Sequence, residues 1–111
     1  VAAALKGERD IAVGNVIDTQ ADYPETVVAS ALWHFEPTLD AAIAAVKAGA
    51  FKADDYGQYS FMKAGGCSIA PLGSFEGKVP AEVMARVAEK EAAIKSGAFA
   101  AAIDDNEPKS S

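Results

Sequence analysis

Residues 26–37 read TVVASALWHFEP, and the fold turns on this stretch. Thr26-Val27-Val28 is a β-branched run that suits a strand, and small residues carry it to Leu32. Trp33, His34 and Phe35 then come together, and Glu36-Pro37 opens a helix, since proline is at home in a first helical turn. The stretch predicts a strand over Thr26–Trp33 followed directly by a helix. Its end carries the only tryptophan and the only histidine of the chain. In open α/β sheets, ligands bind outside such strand ends.

Working outward, Leu39, Ile43 and Val46 recur at i, i+4 and i+7 and make one apolar stripe on the helix. Asp40 in its first turn and Lys47 in its last suit the helix dipole, and Gly49 stops it. Upstream, Ile11–Ile17 (IAVGNVI) is apolar without alternation, the pattern of a strand buried on both faces in a parallel sheet. Gly14 marks a bend or a close backbone approach. The polar turn Asp18–Asp22 is either a second ligand edge or an Asx-type turn that ends the strand. Residues 1–10 read as the tail of a helix: Ala2–Leu5 as its last turn, Lys6 at its negative end and Gly7 as its cap. That reading expects sequence upstream of Val1.

Beyond a polar loop at 51–57, Gln58–Met62 and Cys67–Leu72 are predicted as strands joined by the Lys63-Ala64-Gly65-Gly66 turn, which is a hairpin pattern. Gly73–Lys78 is loop. Pro80 opens a second helix to about Ser96, with Val83, Val87 and Ile94 on one stripe, Met84 beside it, and Gly97 as its stop. Both helices end alike, AAVKAGAF and AAIKSGAF, but a cation, a glycine cap and an apolar residue account for that without a repeat architecture. Ala100–Ile103 is predicted as a last short strand. The acidic tail 104–111 is predicted to fray, which leaves 1–103 as the folded portion.

The composition removes several classes of function. Net charge is −6 and the ten Lys and Arg are scattered, so no basic patch exists for nucleic acid or for an anionic membrane surface. No apolar run is long enough to span a bilayer as a helix. Cys67 is the only cysteine, so no internal disulfide forms. One Cys, one His and scattered acids show no metal-ligand spacing, and neither phosphate-binding glycine pattern is present. No metal and no cofactor are expected. Cys67 lacks an adjacent base, and Ser30 and Ser68 lack the surroundings of a nucleophilic serine, so the expectation is a non-enzymatic protein. Trp33 has a flat face suited to stacking on an aromatic ligand, or else is a core or lobe-interface residue. Lys63, beside a glycine turn, either reaches a ligand or is a solvated turn lysine.

In order, the segments AVGNVIDTQADYPETVVASALWHF, AIAAVKAGAF, YGQYSFMKAGGCSIAPLG and KVPAEVMARVAEKEAAIKSGAF resemble the C-terminal part of the basic membrane protein family. These are substrate-binding proteins of ABC importers for nucleosides and purines. The resemblance implies an α/β chain that is a fragment of a type I periplasmic-binding fold, with a mainly parallel sheet flanked by helices. Two such lobes close over a ligand and deliver it to the permease. By resemblance, Gly14 and Asp18 match the family's ligand-contacting turn, and Lys63 matches the lysine of its Lys-x-Gly-Gly turn. Trp33 stands where many members have lysine, and members with Trp there look like purine-base binders. Asn15 departs from the family pattern and adds a polar group, and His34 is a further addition. The implied partners are a purine base or nucleoside, an N-terminal lobe that the chain lacks, and membrane permease subunits. The implied location is the periplasm or an envelope-anchored lipoprotein, with a signal peptide outside this chain. Thr26–Trp33 would be one of the strands crossing between lobes. The alternative is a small self-contained α/β regulatory or interaction domain without a transport role.

Overall fold

The structure is a computed structural model that describes residues 11–102 and Asn106. The expectations for residues 1–10, for Ile103 and for the acidic tail lie outside the described residues, apart from Asn106. The described residues form a small α/β fold: a three-stranded mixed sheet, two α-helices and three short 3₁₀ turns.

The strands are β1 (Ala12–Val16), β2 (Val27–Trp33) and β3 (Cys67–Ile69), in spatial order β1-β2-β3. β1 runs parallel to β2, with Gly14 opposite Ser30 and Val16 opposite Leu32. β3 runs antiparallel to β2, with Ser68 opposite Leu32 and Cys67 opposite Trp33. The sheet is therefore mixed, not mainly parallel. The expected 58–72 hairpin is also absent, because β3 takes β2 as its partner. Two backbone bonds extend that pairing beyond the strand: Ala70 N–H donates to the Ser30 carbonyl and His34 N–H to the Gly66 carbonyl, each at 2.8 Å.

Gln58–Met62 forms no strand but two 3₁₀ turns, Gly57–Ser60 and Met62–Ala64. Local side-chain bonds explain the difference. Asp55 Oδ1 accepts from Gly57 N–H at 2.7 Å, and Ser60 Oγ donates to the Gly57 carbonyl at 2.6 Å. Such bonds offer the backbone an alternative to a ladder. A stack of Phe51, Tyr56 and Tyr59, with ring centroids 6.0 and 6.2 Å apart, holds the turn from the other side. Residues 100–102 form no strand either.

Helix α1 (Glu36–Lys47) begins at the Glu36-Pro37 pair, as expected, with Pro37 in its first turn, and α2 (Ala81–Ser96) follows Pro80. Gly97 ends α2 in the left-handed region at φ 80°, as a C-cap glycine does. The chief contacts of α1 are with the Gly57–Ser60 turn and those of α2 with the Met62–Ala64 turn, not with the sheet. The helices therefore do not flank the sheet as expected. Leu39, Ile43 and Val46 on α1 are exposed, as are Val83, Met84 and Val87 on α2.

The described residues bury little. Among them, Val27 and Ala70 are the buried apolar residues, and Thr26 and Ser30 are the buried polar ones. Val13, on the strand that reads as buried on both faces, is 71% exposed. On one face of the sheet, alternation places Val13, Asn15, Ala29, Ala31, Trp33, Cys67 and Ile69 together, and Val13, Trp33 and Ile69 among them are exposed. Apolar strands and helix stripes of this kind belong against a second layer.

Candidate functional site

The carboxyl ends of β1 and β2 meet at an open cleft of about 690 Å³. This volume lies within the usual range for small-molecule sites. Val16 ends β1 at its rim. Trp33, His34 and Phe35 come from the end of β2, Thr38 from the first turn of α1, Tyr56, Gly57 and Ser60 from the aromatic turn, and Gly66 and Cys67 from the start of β3. No carboxylate, lysine or arginine is among these wall residues.

Each wall has a local cause. Trp33 lines the cleft and is 67% exposed, so it is not packed into a core of the described residues. Gly66 is buried and lies against the backbone of Tyr59 and Ser60 so closely that a Cβ there would overlap the Tyr59 carbonyl oxygen. Only glycine lets the aromatic turn approach β3 and close that wall. Val16 has φ 77°, a left-handed conformation that β-branched residues rarely adopt. Strained backbone of this kind clusters at ligand sites, and here it lies at the cleft rim.

His34 is fixed at two points. Its backbone N–H donates to Gly66, and its Nε2 lies 2.7 Å from Ser68 Oγ. That is nucleophile-to-base distance, but Ser68 is not among the wall residues and no carboxylate bonds the imidazole among the described residues. The pair therefore lacks the orienting third group and the access to a ligand that a hydrolytic serine uses. Among the described residues, no cluster of three or more His, Cys, Asp or Glu could hold a metal, and no helix is long and apolar enough to cross a membrane.

The six residues singled out in the sequence fall into three places. Trp33 and His34 wall the cleft. Gly14 and Asp18 belong to a polar knot beside it: Asp18 Oδ1 accepts from Gln20 N–H at 3.0 Å, which is the Asx-type turn, and from Ser30 Oγ at 3.4 Å. A Cβ on Gly14 would press on Ser30 Oγ and Thr19 Oγ1. Ser74 bonds both Gln20 and the Pro24 carbonyl and ties this loop down. Asn15 is exposed on β1, opposite Ala31. Lys63 is exposed and points elsewhere: its Nζ lies 3.8 Å from where a Cβ on Gly97 would be, at the carboxyl end of α2. Sequence reasoning missed the second wall, Tyr56, Gly57 and Ser60. Its only signal was an aromatic-rich loop directly after the helix that follows Trp33.

The chain matches no model of a known protein family and no curated protein.

Proposed function

We propose that the chain is the C-terminal portion of a two-lobe, non-enzymatic solute-binding protein of an ABC importer, and that it supplies one wall of a site for a purine base or nucleoside. In this reading the protein is exported to the periplasm or anchored in the envelope. The fold would then be a fragment of a type I periplasmic-binding architecture. The observation that carries the reading is the exposed Trp33 at the carboxyl end of a parallel strand pair, walling a cleft without charged side chains. A planar, uncharged heteroaromatic ligand suits such a surface, since every base has a face to stack. The uncovered sheet face and helix stripes support the further step that a second body completes the fold.

Magnitudes point the same way. Stacking one base on an aromatic side chain contributes about 1–3 kcal/mol, whereas micromolar binding needs about 8 kcal/mol. One wall therefore holds a purine weakly, and closure of a second wall raises the affinity. Trp33 is the only tryptophan, so its fluorescence reports the site alone. Titration with adenosine, inosine and the free bases should give saturable quenching. Linear quenching, equal to that of a free tryptophan derivative, would reject the reading.

A further inference from the structure

The two outer edges of the sheet are built differently. The edge of β3 is blunt: the strand is three residues long, and Pro71 follows soon after its end at Ile69. Short strands and proline are usual ways in which an edge is protected from pairing. The edge of β1 has neither device. Ile11–Ile17 holds no charged residue and no proline, and Ile11, Val13, Val16 and Ile17 are all exposed.

The register assigns the backbone groups of that edge. The Ser30 carbonyl accepts from Ala70 N–H, on the β3 side of β2. Backbone groups alternate sides along a strand, so it is Ala29 and Ala31 that face β1. Gly14, opposite Ser30, is therefore a β1 residue that bonds to β2, and Val16, opposite Leu32, is the next. Val13 and Asn15 turn their N–H and C=O groups the other way, onto the free edge.

Strands in parallel sheets are buried on both faces and read as apolar runs without alternation, as Ile11–Ile17 does. We infer that the outer edge of β1 is an interaction surface, taken by one further apolar strand that runs parallel to β1 and comes from the rest of the same polypeptide. This rests on the reading of the chain as the C-terminal portion of a larger protein. It adds a strand to this lobe's own sheet, apart from the second lobe across the cleft. A second copy of the chain fits the edge less well. Two copies paired through the same edge are related by a two-fold axis and run antiparallel, and the strands of such pairs commonly alternate apolar and polar residues. Each copy would also bring a net charge of −6, which opposes self-association. A parallel strand has a consequence for the site. Its carboxyl end arrives beside Val16 at the cleft rim and extends the wall that Val16 begins.

The test is amide hydrogen exchange on the full protein as purified from its source, read residue by residue by NMR. Gly14 and Val16 are the internal references, because their N–H groups bond to β2. The expected result is that Val13 and Asn15 exchange as slowly as these two, in a protein that contains one copy of the chain. Asn15→Pro removes an outward N–H and should lower Tm well below that of Asn15→Ala, which keeps it; on a free edge proline is tolerated. Fast exchange at Val13 and Asn15 beside protected Gly14 and Val16, or equal Tm values for the two variants, would overturn the inference. Protection that is lost on dilution of a dimer would give the edge to a second copy and overturn it as well. Quenching of Trp33 by purines scores the purine reading separately. Saturable quenching with an unprotected edge keeps that reading and rejects the strand, and a protected edge without quenching does the reverse.

Discussion

Trp33→Ala separates the two roles a lone tryptophan can have. The side chain is 67% exposed, and a tryptophan carries about 250 Å² of surface, so about 170 Å² is open to a ligand. A base stacked on one face covers about half of that. At about 25 cal/mol per Å², this is about 2 kcal/mol, or about a thirty-fold rise in Kd. The same exposure means that the fold loses little packing, so stability should stay within about 0.5 kcal/mol, as for other surface substitutions. A core tryptophan behaves in the opposite way, with about 3–5 kcal/mol of stability lost on truncation. Affinity is best measured by calorimetry, because the substitution removes the fluorophore. Stability is followed by urea unfolding monitored by far-UV circular dichroism. Unchanged affinity, or a stability loss in the core range, would refute the assignment of Trp33 to a binding surface.

Three further outcomes follow from the same geometry. Gly66→Ala places a methyl group on the Tyr59 carbonyl and should cost about 1–3 kcal/mol by overpacking. Gly49→Ala, at φ 66° with nothing within 4 Å, should cost only the left-handed penalty of about 1 kcal/mol, and unfolding curves that rank them the other way would refute the close-approach account. Lys63→Gln should lower stability by about 0.3–1 kcal/mol, the usual worth of a cation at a helix carboxyl end, and leave purine affinity unchanged. A several-fold loss of affinity by calorimetry would return Lys63 to the ligand site. Val16→Gly should leave thermal stability level or raised, since glycine adopts φ 77° without strain; a clear fall in Tm would mean that the valine side chain matters more than its backbone.

Much of the fold was legible because its signals are local. The β-branched start of β2, the proline and glycine bracketing each helix, and the i, i+4, i+7 stripe of Leu39, Ile43 and Val46 each need only neighbouring residues. What covers a stripe is not local. Periodicity identified the apolar face of α1 but could not show that α1 packs against the Gly57–Ser60 turn instead of the sheet. The error at Gln58–Met62 has a similar cause. Tyr and Phe favour strands in general, but Asp55 and Ser60 bond their own backbone and win.

The site shows the same division. Trp33 and His34 were placed at a strand end by the residues around them, and they wall the cleft. The His34–Ser68 bond joins residues 34 positions apart and depends on β3 pairing with β2, which the Gly-Gly turn wrongly assigned to a hairpin. Lys63 is not among the wall residues of this cleft: the turn that carries it packs on α2, and its ammonium lies near that helix's end. Asp18 was read with two alternatives open, and its bond to Gln20 N–H realises the turn.

The most direct test of the central claim is native mass spectrometry of the protein as purified from its source, before and after addition of purine bases and nucleosides. The account predicts a one-to-one adduct with the mass of a purine base or nucleoside, lost in the Trp33→Ala variant. A folded protein that carries no such adduct, even with these ligands in excess, would contradict it.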